Sequence, residues 1–93
     1  MSYGIYIRQL REARGVSLNT FAPRIGISAA YWSRIEREQE KPPRDALIEA
    51  AALALGSSVD DAFIQAGRLP PDMREHLREV VMAWRRKEAR RGA

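Results

Sequence analysis

Apolar positions recur at helical spacing along almost the whole chain, and small or polar residues divide them into segments. Ile7, Leu10 and Ala13 share one helical face, and that segment stops at Gly15, a residue that readily takes the left-handed conformation ending a helix. Ser17 can cap a short second helix presenting Phe21, Ala22 and Ile25, closed by Gly26. Ser28 can cap a third, with Tyr31, Trp32 and Ile35. Glu38 to Lys41 is polar and runs into Pro42-Pro43, which predicts a loop and a fourth helix starting near Arg44. That helix is rich in Ala and Leu through Leu55 and ends at Gly56. Ser58-Val59-Asp60-Asp61 has the pattern of a capped helix start, and the fifth helix closes near Gly67. After Leu69-Pro70-Pro71, the spacing predicts one long sixth helix from Asp72 to Arg91, with Met73, Leu77, Val80, Val81 and Trp84 in a single apolar stripe. Phe21, Ile25, Ile27, Trp32, Ile35, Leu47, Leu53, Leu55 and Val59 are the expected core. No alternating strand pattern and no long repeat competes, so an all-α fold is expected.

Charge adds a direction to this pattern. The chain is 93 residues long with a net charge of +4, unevenly spread. Residues 1–44 carry 8 basic against 4 acidic residues, 45–68 carry 1 against 4, and 69–93 carry 7 against 4. A polyanionic partner would therefore meet the first half of the chain, with or without the C-terminal segment. The absence of cysteine excludes a disulfide scaffold and thiolate metal sites. The longest apolar run, Ala50 to Leu55, is far short of the roughly 20 residues a membrane span requires. Met1-Ser2-Tyr3-Gly4 lacks the basic start of a signal peptide, so a cytoplasmic protein that engages no membrane is expected. His76 is the single histidine, there is no glycine-rich phosphate loop, and the carboxylates form no paired arrangement. Neither an enzyme nor a metal or other cofactor is expected.

The informative stretch is residues 15–37, two short capped helices joined by Gly26-Ile27-Ser28. Gly26 lets the chain reverse, Ile27 can bury in the angle between the helices, and Ser28 starts the next one. Such a turn can lay one helix in the major groove while the other crosses the DNA backbone. In these residues the chain resembles the lambda-repressor-like, xenobiotic-response-element (XRE) type of helix-turn-helix family. The resemblance spans about residues 5–66 and is carried by several motifs in order: Ile7 to Gly15, Phe21-Ala22, Gly26-Ile27-Ser28, Tyr31 to Arg37, Lys41-Pro42, Leu47 to Gly56, and Val59. It implies a five-helix DNA-binding domain over residues 1–67, followed at 68–93 by an additional amphipathic helix with a basic tail.

The resemblance also implies roles. The third helix becomes the recognition helix, with Ser28, Ala29, Ala30, Ser33 and Arg34 toward the bases. Arg34 is the strongest polar reader, because a guanidinium can grip both major-groove acceptors of guanine. Leu18 and Asn19 would offer backbone N–H groups to a phosphate, while Arg24, Tyr31, Arg37, Lys41 and Arg44 would contact the DNA backbone. Arg11 and Glu36 match an ion pair that braces the first helix against the third. A prokaryotic or phage transcriptional regulator is implied, a repressor binding a palindromic operator on double-stranded DNA as a homodimer.

Three departures from the family pattern stand out. Pro23 lies inside the second helix, where a kink or a shortened helix is expected. Glu38 stands where the family usually has Gly, so a longer third helix or a different cap is expected, and Glu38 and Glu40 dilute the basic field. Trp32 replaces the usual Leu and reads as a larger core residue. The stripe Met73, Leu77, Val80, Val81 and Trp84 leaves three options open: packing back on the domain, a homodimer or protein-partner interface, or partial disorder when alone. The rival functional readings are an antitoxin or regulatory adaptor working through a protein partner on the C-terminal helix, and nonspecific nucleoid-type binding.

Overall fold

The computed structural model describes residues 2–92; Met1 and Ala93, and with them the outer bounds of the 1–67 and 68–93 division, lie outside the described residues. Seven helices follow one another in that span: α1 (Tyr3–Ala13), α2 (Leu18–Arg24), α3 (Ala29–Glu36), α4 (Asp45–Ala54), α5 (Val59–Gln65), α6 (Pro71–Arg74) and α7 (Leu77–Gly92). The fold is all-α, with no strand among the described residues.

Serine hydroxyls start three of these helices. Ser17, Ser28 and Ser58 each accept a hydrogen bond from the backbone N–H three residues on, at 3.2, 3.1 and 3.1 Å. Each bond satisfies a donor that the first helical turn leaves unpaired. The helices α1 to α5 also end alike. After each, one residue turns left-handed, and the next N–H reaches back to a carbonyl of the last turn, as Ile27 does to Ala22 at 3.1 Å. Four of the five left-handed residues are glycines; the fifth is Glu38, at φ 63°. The third helix therefore does not run on past Glu36. Gln39 N–H donates to the Arg34 carbonyl at 2.8 Å and Glu38 N–H to the Ile35 carbonyl at 3.1 Å, closing the same turn without a glycine.

The core gathers one face from each of the first five helices. Tyr3 and Ile7, Phe21 and Ala22, Trp32 and Ile35, Ile48, Ala51, Ala52 and Leu55, and Ala62 and Phe63 form one buried cluster. Ile25, Ile27 and Val59 are half-buried against it. Phe21 and Trp32 join α2 to α3 through rings 5.5 Å apart and tilted by 50°, a favourable aromatic arrangement. Burying a large apolar side chain contributes roughly 1.5–3 kcal/mol, so this cluster is the main source of stability. Leu53 corrects the expected core. It is 63% exposed, because α4 buries the opposite face through Leu47, Ile48, Ala51, Ala52 and Leu55.

Gly4 explains how closely α1 and α3 approach. A Cβ at Gly4 would lie well under 3.0 Å from the Ile35 carbonyl oxygen, with the Glu36 carbonyl and the Glu38 side chain close behind. The N-terminal end of α1 thus rests directly on the backbone that ends α3.

Pro23 neither breaks nor shortens α2 at its own position. It occupies the next-to-last residue of the helix, and the helix continues through Arg24. A proline there forfeits one backbone donor in a final turn that is ending anyway. The single long helix expected from 72 to 91 is also not observed. Pro71 starts a four-residue α6, a tight turn follows at Glu75 and His76, and α7 begins at Leu77. His76 N–H bonds to the Met73 carbonyl at 3.1 Å, three residues back, which marks the tightened turn.

A polar knot fixes where α6 leaves the domain. Asp45, the first residue of α4, accepts two hydrogen bonds from Arg74 at 2.6 and 3.2 Å and one from Arg68 at 3.2 Å. Arg68 also donates to the carbonyls of Pro42 and Pro43, and Arg74 lies over the Phe63 ring at 5.9 Å. These hydrogen bonds, from Arg74 first and Arg68 second, hold the Asp45 carboxyl below its ordinary range. Beyond the knot α7 projects from the body. The molecule measures 50 by 25 by 24 Å, and the 16 residues of α7 account for about 24 Å at 1.5 Å per residue. Met73, Leu77, Val81 and Trp84 are 43–55% exposed and Val80 is half-buried, so the stripe is not packed back on the core.

Candidate nucleic-acid interface

The outward side of α3 follows from what its inward side must bury. Trp32, Ile35 and Glu36 are buried, and Ala29 is half-buried against the core on the same side. The residues left facing out are Ala30, Ser33, Arg34 and Arg37, at the spacing of one helical face, with Ser28 at its head. Ala30, Arg34, Arg37 and Ser28 are exposed and Ser33 is half-buried. Of the five residues expected to read bases, four therefore lie on or beside the outward stripe, and Ala29 lies toward the core.

The surroundings supply positive charge and backbone donors. Arg24, Lys41 and Arg44 are exposed, as is Asn19 in the first turn of α2. Leu18 is half-buried and packs on the core, leaving its N–H at the start of α2, beside Ser17. Tyr31 is half-buried against the core, and the Arg34 guanidinium stands 5.9 Å above its ring. Ser28 Oγ accepts from Tyr31 N–H, so the hydroxyl proton stays available to an acceptor.

Behind the stripe, α1 braces α3. Arg11 donates from Nε and Nη2 to the two carboxylate oxygens of Glu36, each at 2.8 Å, and from Nη1 to the Val16 carbonyl at 2.8 Å. Arg11 is 8% exposed and Glu36 4%. The hydrogen bond to Glu36 pushes the Arg11 pKa up, against burial, which lowers it. Glu36 sits in the last turn of α3, where a carboxylate meets the negative end of the helix dipole, and the guanidinium neutralises it there. A cleft of about 150 Å³ lined by Arg8, Arg11, Leu18, Ser33, Glu36 and Arg37 opens above this pair. On its rim Arg8 pairs with Glu12 at 2.8 Å, which holds the Glu12 carboxyl low.

One contact was invisible in the sequence. Glu40 Oε2 lies 3.6 Å from Arg34 Nε, with both side chains a little under half exposed. The left-handed turn at Glu38 brings the chain back far enough for this approach. Between Glu38 and Pro42 it passes over a hollow of about 130 Å³ walled by Ser2, Tyr3, Gly4 and Ile35. Spacing alone does not reveal this contact, since Glu40 stands six residues beyond Arg34 and past the end of α3.

Two capped helices with Gly26 between them, braced by α1 and presenting a polar stripe with exposed arginines, match a known domain family. The family model for the helix-turn-helix domain covers residues 2–77 of this chain. The chain belongs to the XRE-type helix-turn-helix family. That family comprises regulators rather than enzymes. An uncharacterized HTH-type transcriptional regulator of Mycobacterium tuberculosis is 35% identical over 79 residues, 85% of this chain and 56% of that protein. The HTH-type transcriptional repressor RghR of Bacillus subtilis is 38% identical over 66 residues, 71% of this chain and 49% of that one. The chain thus spans about half the length of the curated relatives it matches. Among solved structures, SinR, a master regulator for biofilm formation captured in complex with DNA, superposes with a TM-score of 0.60 at 32% identity. The match takes in 64% of this chain and 95% of that one. SinR bound to the SinI protein aligns over 86% of this chain and 79% of the solved chain, with a TM-score of 0.61 at 26% identity. The family match ends at residue 77, where α7 begins.

No helix among the described residues is long and apolar enough to cross a membrane, and none of their His, Asp and Glu side chains form a group of three or more able to hold a metal ion.

Proposed function

We propose that this chain is a sequence-specific transcriptional regulator, a repressor, which binds a palindromic operator in double-stranded DNA as a homodimer. The observation that carries the reading is the outward stripe of α3. Ser28, Ala30, Ser33, Arg34 and Arg37 are the surface left after the core and the Arg11–Glu36 pair have claimed the rest of the helix. In this reading α3 enters the major groove. Arg34 grips a base, with guanine the best match to its paired donors, and Ala30 offers apolar contact to a thymine methyl. The N-terminus of α2 at Leu18 and Asn19, together with Arg24, Tyr31, Arg37, Lys41 and Arg44, meets the phosphates. The relatives' names and the DNA-bound SinR structure support DNA as the partner, and the name of RghR supports repression.

Residues 1–67 form the reading unit and 68–93 the pairing element. One recognition helix reads only a few base pairs, and a two-fold dimer doubles that over half-sites about 34 Å apart. The exposed stripe from Met73 to Trp84 is the apolar surface on which a second copy would seat. A cytoplasmic setting follows from the DNA partner.

Selection of bound sequences from a random duplex pool tests the reading. The expected result is an enriched inverted repeat whose recognition weakens by about 1–3 kcal/mol at one position per half-site in Arg34→Ala. A pool with no enrichment overturns it. Sedimentation of wild type and Val81→Asp tests the pairing element, the expected outcome being a dimer that becomes a monomer.

A further inference from the structure

The turn that ends α3 bears on the function of the helix itself. Arg34 is a long side chain with many rotamers, and a base reader must give up that freedom on binding. Here two neighbours already flank it. The Tyr31 ring lies beneath the guanidinium at 5.9 Å, and the Glu40 carboxylate stands 3.6 Å from Nε. A guanidinium has five N–H donors, one on Nε and two on each terminal nitrogen. A carboxylate on the Nε side leaves the Nη1–Nη2 fork free, and that fork can donate end-on to the two acceptors on the major-groove edge of guanine. Glu40 reaches this place because Glu38 is left-handed and Gln39 N–H is tied to the carbonyl of Arg34 itself. The residue being positioned and the turn that positions its partner are therefore joined through one backbone hydrogen bond.

We infer that Glu40 is a specificity-determining positioning residue: it holds the Nε edge of Arg34 so that the terminal fork is presented to one base pair. The inference rests on Arg34 reading a base, and it goes beyond that reading by giving an acidic residue near the groove a favourable role. Glu40 repels phosphate, so it weakens binding to every sequence alike. What it returns is selectivity, because a guanidinium with a carboxylate beside its Nε edge is less free to settle on a neighbouring phosphate.

Gel shifts at fixed salt with the selected duplex, a duplex altered at the base pair mapped by Arg34→Ala, and a random-sequence duplex test this in the full chain. Glu40→Gln is expected to bind the random duplex more tightly while its discrimination at that base pair falls about 3–10-fold. Glu40→Asp keeps the charge but shortens the reach, and is expected to lose discrimination without the gain on random DNA. In the Arg34→Ala background, Glu40→Gln should change discrimination no further. Both side chains are about half exposed, so melting temperatures should stay at the wild-type value and separate positioning from folding. Unchanged or sharper discrimination in Glu40→Gln, with Arg34→Ala still losing it, overturns the inference alone. A selection with no enriched sequence, or an Arg34→Ala variant with unaltered base preference, overturns the reading of Arg34 and the inference with it.

Discussion

Glu36→Gln should be among the most damaging single changes available on α3, although it alters one atom and keeps the shape. The wild-type carboxylate accepts two hydrogen bonds at 2.8 Å from a guanidinium that is itself buried. An amide in the same place can accept only one. Its NH2 group then faces an Arg11 donor, and the buried positive charge loses its counter-ion. Removing one partner of such a pair typically costs about 3–5 kcal/mol, whereas replacing both with apolar groups of similar volume is often neutral. A domain of this size is stable by roughly 5–15 kcal/mol, so the single change removes about a fifth of the total or more. With about 4–8 °C lost per kcal/mol in a small domain, the midpoint should fall by at least about 12 °C. Circular dichroism melts and urea titrations measure this, an unchanged urea slope showing that the unfolded reference is the same. The double variant Arg11→Met, Glu36→Leu should recover much of the loss; the Val16 carbonyl, deprived of Arg11 Nη1, sets the remaining deficit. The loss should hardly vary toward alkaline pH. The hydrogen bond to Glu36 raises the Arg11 pKa, so its contribution is complete below the unfolded guanidinium value, far above neutrality, and disappears only above the still higher folded one. A midpoint shift under about 4 °C for Glu36→Gln, or a double variant worse than both singles, would refute the argument.

Glu38→Gly should raise stability by about 1 kcal/mol in the same melts, because the left-handed φ of 63° is unfavourable for a side chain and neutral for glycine. Gly4→Ala should do the opposite of what helix propensity suggests and destabilise by about 1–3 kcal/mol, since the new methyl meets the backbone carbonyl of Ile35 and forces α1 off α3. Asp45→Asn should lower the melting temperature at neutral pH, with the gap to wild type closing as pH falls below about 4. The hydrogen bond from Arg74 depresses the folded pKa of Asp45, so its contribution is present above the unfolded carboxylate value and is lost as pH drops through the folded one.

Local signals carried most of the fold. Serine caps, apolar spacing and the glycines after α1, α2, α4 and α5 act within a few residues of one another, and so does the α2–α3 turn with its outward stripe. The misjudged features depend on distant partners or on ambiguous periodicity. Leu53 lies in an α4 that is apolar nearly all round, so composition does not mark its buried side. The step of four from Met73 to Leu77 continues a helical period across a turn that directly follows Arg74, whose partner Asp45 lies 29 residues away. Nothing near Gly4 announces that α3 will rest on it. Glu38 has no glycine-like chemistry, and it becomes left-handed in a turn that the ends of α1 and α3 enclose. Glu40 is adjacent in sequence to that turn, but its relation to Arg34 exists only once the turn is closed.

The projection of α7 divides the molecule into two zones of protection. Helices α1 to α5 share one core, so their amides exchange with solvent only through openings that approach global unfolding. The amides of α7 have no such cover. A lone helix of 16 residues is marginal in water, and this one keeps Leu77, Val81 and Trp84 in solvent. It can fray turn by turn without disturbing α3, so the chain has a cooperative body and a non-cooperative arm. Any surface that covers Leu77, Val81 and Trp84 draws the arm into the cooperative unit and slows exchange along it. Protection of the α7 amides therefore becomes a direct gauge of occupancy, rising with the concentration of whatever binds there.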